Sequence, residues 1–545
     1  MTMESRKHPD GPETFVENYR RALDDSGLRG ALATATGKAL DSRRQAVADV
    51  GEGDWERLRS RARAIKEHTV EHLDFYLAQL ADKVERGGGH VFWAQTAEDA
   101  RRYITELAAR KGCGVAVKSK SMMTEEIGLN AALEAAGVEA VETDLGEYIV
   151  QLAGERPSHI NMPAIHKTRG DVADLFTAKL GVERDDDIAR MAGLARRVLR
   201  RRFAEAGMGI TGVNYAVAET GTLVLVENEG NIRLTNSLPR VHVALMGIEK
   251  VIPRLEDVDV FLRLLSRSAS GQQLCSYLSF LTGVKTSPSE EGPEEFHLVI
   301  LDNGRTGMLA NPHLRESLFC IRCGACLNVC PVYQKIGGHA YGWVYPGPIG
   351  AVLTPQMVGR ERAAALPFAS SLCGACRDVC PVKINIPDML LRLRHEIKEG
   401  VRKSPPRAAT RPAHHRLVTD DEADDEAEDE LYVAPLRHRA ADFVERALFM
   451  LWAAAMKTPF RYRAASRVAR VAQSLFGRRN KDAARVLRVP RWAASRDLPP
   501  FAARPFRERW PELSKDAEEY RAAKIALPGD RPTRDGKGPA AARRG

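Results

Sequence analysis

Leu58, Ala62, Ile65, Val70, Leu73, Leu77 and Leu80 recur near the helical period across Trp55–Val84, and "GGG" at 87–89 predicts where that helix stops. A different rhythm follows. The run "HVFWA" (90–94) predicts a strand, and Thr96 with Asp99 three residues on predicts a capped helix start. "GVAVK" (114–118), a helix over 121–136 and "VEAVETD" (138–144) continue the alternation, the pattern of a parallel α/β sheet. A basic helix over 186–206 leads into "YAVAE", "GTLVLVEN", a turn at "NEGN" and "VHVALMG". A helix over 256–268 and a buried strand "FHLVILDN" (296–303) close one α/β domain at 55–305. "GMGITG" (207–212) has the letters of a dinucleotide-binding loop, but a helix precedes it and strands follow, so it is read as a turn.

The rest of the chain reads differently. Residues 1–54 are rich in Ala, Arg and Asp and form a helical extension. Cysteines crowd the region 306–400. "DDEADDEAEDE" (420–430) marks a solvated acidic linker over 401–435, and residues 436–545 form a helical, basic C-terminal region.

Composition adds limits more than direction. With 545 residues, 44% hydrophobic and 28% charged, the chain has the makeup of a globular protein of several domains. Nothing in the first thirty residues reads as a secretory signal. The longest apolar run, "ALFMLWAAAM" (447–456), is half the roughly 20 residues a membrane helix needs, so a cytoplasmic location is expected. The net charge of +9 is spread widely, without interleaved aromatics, and no nucleic-acid binding is expected. The stretch 443–477 joins apolar residues to Arg461, Arg463, Arg467 and Arg470. Packing on the cysteine region or a partner subunit is its first reading, and peripheral contact with the inner membrane face its second.

Seven of the nine cysteines lie within 61 residues, a density that points to metal in a chain without a disulfide framework. Cys320, Cys323, Cys326 and Cys330, followed by Pro331, form C-x2-C-x2-C-x3-C-P, the bacterial ferredoxin run. A zinc ribbon would instead show two C-x2-C pairs and no C-x3-C-P. Cys373, Cys376 and Cys380, before Pro381, repeat the run with Ser370 where its first cysteine would stand. In such pairs the last cysteine of each run crosses to the other cluster. Cys320, Cys323, Cys326 and Cys380 would then hold one cluster, and Cys330, Cys373 and Cys376 a second that is one ligand short. A labile or non-cysteine fourth ligand is the first expectation, with Ser370 and Ser371 among the candidates, and a remote cysteine such as Cys275 the second. Two iron–sulfur clusters of the 4Fe-4S type are the expected cofactors; no flavin or NAD site is evident.

Several blocks resemble the lactate utilization protein B family, the iron–sulfur subunit of a bacterial L-lactate oxidation system. They include "VKSKSMMTEEIGLN" (117–130), "VETDLGEYIVQL" (141–152), "PSHINMPAIHK" (157–167), "AETGTLVLVENEGNIRLTNSLPRVHV" (218–243), "CIRCGACLNVCPVY" (320–333), "GGHAYGWVYPGPIGAVLTP" (337–355), "SSLCGACRDVCPVKI" (370–384) and "RDLPPFAARPFRERW" (496–510). The resemblance implies a lactate-utilization domain of CoA-transferase/ribose-phosphate-isomerase-like type, an all-α ferredoxin-type dicluster domain and a helical tail. It also implies action beside a cysteine-rich subunit and a second lactate-utilization-domain protein, with this chain as electron relay. Equivalent service to another 2-hydroxy acid such as glycolate, or a CoA-transferase-like enzyme with structural or sensing clusters, are the alternatives.

Remaining candidates are single residues. Glu219 in "AETGT" is a candidate nucleophile, although a hairpin with an exposed carboxylate is the plainer reading. Lys118 and Lys120 follow a strand and precede a helix, where open α/β sheets bind anions. With Thr220, Gly221 and Asp302 they make up the ligand-binding candidates. His159, His166, His242 and His339 could relay protons but show no metal-ligand spacing.

Overall fold

The computed structural model describes residues 11–287, 290–399, 401–402, 432–433, 441–476, 478–479, 485–486, 501–502 and 504–525. Contacts divide the chain into two units, Met1–Leu436 and Arg437–Gly545. The acidic run 420–430, with most of the linker expected at 401–435, lies outside the described residues.

Ten strands make the two larger sheets of the first unit: β1 (His90–Ala94), β2 (Val115–Lys118), β3 (Glu139–Glu142), β4 (Met208–Gly212), β5 (Tyr215–Val217), β6 (Thr222–Glu227), β7 (Val241–Gly247), β8 (Val251–Ile252), β9 (Tyr277–Leu281) and β10 (Glu295–Leu301). Six of them pair in the order β1-β10-β7-β4-β2-β3, every pair parallel. Strand β7 shows why the sheet is parallel. Val241, Val243 and Leu245 pack towards the helices Ala97–Arg110 and Leu129–Ala135, while Ala244 and Met246 pack towards Leu73–Arg86. A strand apolar on both faces needs helices over both faces, which crossover connections supply. The smaller sheet runs β8-β5-β6-β9 and is mixed.

The alternation anticipated the class of fold but misplaced some pieces. "GMGITG" is not a turn: Met208–Gly212 is a buried strand inside the parallel sheet, between β7 and β2. Its glycines answer to packing. A Cβ on Gly209 would lie 1.8 Å from the Thr235 carbonyl, and one on Gly212 would lie 2.5 Å from Ser121 Oγ. Thr235 belongs to a helix, Asn231–Ser237, that the step from "NEGN" to "VHVALMG" did not anticipate. The helix expected over 121–136 breaks at Gly128, which takes a left-handed backbone (φ 63°) between Met122–Glu126 and Leu129–Ala135. The one expected over 55–84 is two helices, Glu52–Glu71 and Leu73–Arg86, parted at His72.

The N-terminal helices pack on the cysteine region. Phe15, Leu32, Trp55 and Ala62 share one apolar core with Leu327, Tyr333, Tyr341 and Ile349, and with Val217 and Val224 of the small sheet. The helix Glu52–Glu71 runs through residue 54, where the extension was expected to end.

In the second unit, the helices Ala441–Met456, Pro459–Phe476 and Phe506–Ile525 are described. The Gln473 amide holds the Phe501 backbone, accepting its N–H at 2.8 Å. Phe449, Met450, Leu451 and Trp452 are exposed. Among the described residues no helix is long and apolar enough to cross a membrane.

Candidate metal centre and adjoining cavity

Each cysteine run follows a 3-10 helix, Arg315–Phe319 upstream and Leu366–Phe368 downstream, and then turns through a left-handed glycine into a short helix. Gly324 (φ 73°) opens Ala325–Val329, and Gly374 (φ 87°) opens Ala375–Asp378. These two short helices pack against each other. The space between the runs holds the helices Tyr333–Ile336 and Gly347–Met357.

The seven thiols fall into two electrostatic groups. Burial pushes the Cys323 thiol far up, and Cys380 and Cys320 push it further. Cys326 is raised by burial, then by Cys320, Cys323 and Cys380, and last by Cys376 of the other group. Cys376 is pushed up to about 12 by burial and then by Cys330, with Cys373 adding to it. Backbone N–H groups point at the sulfurs: Ile384 donates to Cys380 Sγ at 3.3 Å, Arg322 to Cys320 Sγ at 3.4 Å and Tyr333 to Cys330 Sγ at 3.5 Å. All seven are free of disulfides. Crowded thiols, all buried but the half-buried Cys320 and the exposed Cys373, three of them receiving N–H donors, suit thiolates on iron and sulfide, where metal charge offsets their own. The donor set therefore fits iron–sulfur ligation.

Cations gather around the upstream group. Arg59, buried on Glu52–Glu71, donates to the Cys380 carbonyl at 2.8 and 3.0 Å and to the Asp378 carbonyl at 2.9 Å. Arg43 reaches the Val379 carbonyl at 3.2 Å. Lys66 and Lys250 are buried, and desolvation lowers each to about 8. Arg322 sits between Cys320 and Cys323, stacked 4.7 Å over the Tyr345 ring and 3.3 Å from Glu249. Glu249 is also held at 2.7 Å by the buried Arg305. Burial opposes the charge of Glu249, but Arg305 and Arg322 hold it down at about 2. Sequence reading singled out none of these residues. The one available signal was Arg59, Arg63 and Lys66 at i, i+4 and i+7, beside the apolar stripe of their helix.

The block "PSHINMPAIHK" docks the cysteine region onto the α/β domain. His159 Nδ1 accepts the N–H groups of Asn161 at 3.0 Å and Met162 at 3.1 Å. That leaves Nε2 as the protonated nitrogen, donating to Asn328 Oδ1 at 3.1 Å in the helix between Cys326 and Cys330. Asn161 donates to the Cys323 carbonyl, and Tyr333 to the Ser158 carbonyl at 2.6 Å. His166 bridges Ser158 and Glu155, and His339 donates to the Arg156 carbonyl. His242 is buried in the parallel sheet, 2.9 Å from Thr211 Oγ1. His159 and His339 dock the cysteine region, and His166, His339 and Glu155 bring their ligand atoms within 4.8 Å of one another.

A cavity of about 610 Å³ opens at the carboxyl ends of β2, β4, β3 and β7, where open α/β sheets place ligands. Lys120, Asp144, Asn214 and Lys250 line it from the α/β domain, Lys38 and Ser42 from an N-terminal helix, and Ile321 and Arg322 from the loop between Cys320 and Cys323. Arg322 Nη1 is buried without a hydrogen-bond partner.

Of the ligand candidates read from sequence, Lys120 lines this cavity, its Nζ donating to the Asn161 carbonyl. Lys118 does not: it is 1% exposed and paired with Glu142 at 2.6 Å and Glu125 at 3.0 Å. Glu219, Thr220 and Gly221 form the turn joining β5 to β6, away from the cavity lining. There Glu219 accepts the Leu255 N–H at 3.0 Å and Thr220 donates to Thr222. Asp302 accepts the Thr306 N–H at 2.7 Å and starts the helix that carries Arg305. Cys275, considered as a remote cluster ligand, lies in the cavity wall beside Ser266 and Glu227 and donates to the Tyr277 carbonyl.

The LUD domain family matches residues 77–301, and the 4Fe-4S dicluster domain family matches 316–384. Lactate utilization protein B of Shouchella clausii is 47% identical over 397 residues, 73% of this chain and 82% of that protein. The chain belongs to the lactate utilization protein B family. The protein of that name from Bacillus cytotoxicus is 47% identical over 391 residues, 72% of this chain and 82% of its own length. A crystal structure of a DUF162 family protein from Deinococcus radiodurans aligns with 42% of this chain and 98% of its own at 14% identity, with a TM-score of 0.24, too distant to carry an argument. A family member of this make-up is an α/β LUD domain joined to a helical iron–sulfur domain.

Proposed function

We propose that this chain is the electron-transfer subunit of a complex that oxidises L-lactate to pyruvate. Cys320, Cys323, Cys326 and Cys380 would hold one 4Fe-4S cluster, and Cys330, Cys373 and Cys376 a second. Clusters bound there supply one-electron exchange. The companions are a cysteine-rich subunit and a second LUD-domain protein. The relatives' name supports the substrate, and one structural observation supports the relay: the Ile321–Arg322 loop is at once part of the upstream cysteine run and a wall of the cavity. A ligand or partner group in that cavity would reach the first electron site without crossing the fold. Lys120, Lys250 and Arg322 offer the cavity cations for a small carboxylate, beside Asp144, Glu227 and Glu229 of the same lining.

Anaerobically purified chain should carry iron and sulfide with broad absorbance in the visible. Mixed with its two companions and L-lactate, it should develop the EPR signals of reduced clusters, and glycolate should produce them poorly. Bound zinc in place of iron would end the proposal. So would clusters that dithionite reduces but lactate with both companions does not.

A further inference from the structure

The downstream run lacks a cysteine at its first position, yet its backbone is built as though one were there. Residues 370–381 repeat 320–331 at a constant offset, with Cys373, Gly374, Ala375, Cys376, Val379, Cys380 and Pro381 matching Cys323, Gly324, Ala325, Cys326, Val329, Cys330 and Pro331. Ser370 stands opposite Cys320. The repeat extends to conformation. Only four non-glycine residues among those described have positive φ, and two are Arg322 (60°) and Leu372 (56°), each directly before the second ligand position of its run. That conformation is unfavourable for a residue with a Cβ, so its recurrence at both loops marks a demand of the loop itself.

The same local hydrogen bond closes both loops. Upstream, the Arg322 N–H donates to Cys320 Sγ at 3.4 Å. Downstream, the Leu372 N–H donates to Ser370 Oγ at 3.1 Å. The hydroxyl oxygen therefore accepts the same local N–H that the thiol sulfur accepts upstream. Arg394 holds this loop from the helix Ile386–Glu399, donating to the Ser370 carbonyl at 2.9 Å and to the Pro367 carbonyl at 2.8 Å. Ser371 matches Ile321, a position that holds no ligand upstream, and is exposed. Cys275 lies in the cavity wall beside Glu227.

We infer that Ser370 Oγ is the fourth ligand of the cluster held by Cys330, Cys373 and Cys376, an assignment that rests on the two-cluster reading above. Ligation forms an Fe–O bond as the hydroxyl O–H breaks, the proton leaves to solvent and no electron moves; the metal's charge favours the loss. An oxygen donor is harder than sulfur and favours the ferric state. This cluster would hold one iron unlike its three neighbours.

The test uses the full-length chain loaded anaerobically with the Mössbauer-active isotope of iron. Wild type and Ser371→Ala should both show one distinct, oxygen-coordinated iron. Ser370→Cys should convert that iron to sulfur coordination. Ser370→Ala should lose it on mild oxidation, leaving the EPR signal of a three-iron cluster beside an unchanged upstream cluster. A distinct iron that persists in Ser370→Ala, or a wild-type spectrum without one, overturns the assignment. If both Ser370 variants fail to fold, cyanide added to wild type decides: a distinct iron that binds cyanide readily is open and the assignment is wrong, while one that resists supports it. Iron analysis separates the two readings. Little bound iron in wild type defeats the two-cluster reading itself, whereas full loading without a Ser370-dependent signal defeats the ligand alone.

Discussion

Lys118 shows how one residue can carry two opposite readings. Its position at the end of β2 suits anion binding, but its ammonium is enclosed with Glu142 and Glu125. Burial would lower its pKa, yet the two carboxylates outweigh burial and raise it, so the lysine stays charged. Lys118→Met leaves Glu142 buried and unpaired and should cost about 3–5 kcal/mol of stability, read from thermal or urea melts. A variant as stable as wild type would show that the pair is not structural. His242 gives a pH prediction. Burial, with His297 nearby, lowers it to about 3, against an unfolded value near 6.5. Between those values the unfolded chain binds the extra proton, so stability falls as pH falls through that window and is unaffected above it. His242→Gln should therefore have a shallower stability loss than wild type between pH ~7 and ~5. Parallel slopes in melts of the two proteins would refute this.

Elements gain meaning from what packs on them. The helix Glu52–Glu71 sends Arg59 to the carbonyl of Cys380 and buries Lys66 near Cys320. A fixed positive charge near a cluster favours its reduced, more negative state. Lys66→Met should lower the midpoint potential of the upstream cluster by tens of millivolts and leave the downstream one in place. EPR-monitored redox titration checks it, and equal shifts in both clusters would contradict the asymmetry. Strand β4 is set by the room its glycines leave. Gly209→Ala drives a methyl into the Thr235 carbonyl, 1.8 Å away before any relaxation, and should cost more than about 3 kcal/mol. Soluble protein with a near wild-type melting temperature would show that the helix Asn231–Ser237 can retreat.

Across the whole first unit, Cys323, Cys326, Cys330, Cys376 and Cys380 belong to the same core as the N-terminal helices and one face of the small sheet. Ligands that bind only the folded state add to its stability. Removing iron with a chelator should therefore speed amide exchange in 26–71 and 316–384 far more than in β7 and β10, whose core is separate. Uniform loosening of the parallel sheet would mean that the two regions do not separate in this way.

Features governed by neighbours along the chain are legible in the sequence alone. The capping box of Thr96 and Asp99 forms as its spacing requires, β1 spans the five residues of "HVFWA", and the alternation of strand and helix specified a parallel sheet. The cysteine spacings carried the metal chemistry for the same reason, since ligands on one short turn must be close in sequence. Contacts between distant segments were not legible. A glycine-rich hexapeptide became a buried parallel strand because Thr235 and Ser121 press on it. Lys118 became a buried ion pair and Lys120, two residues on, a cavity wall, because only one of them meets Glu142. The cations around the upstream thiols come from residues 43, 59, 66, 250 and 322. Local patterning had no means to bring these together, because electrostatic fields sum over space and not along the chain. Sequence by itself determined the class of the domains and the thiols; tertiary packing decided which charges surround them and where the cavity opens.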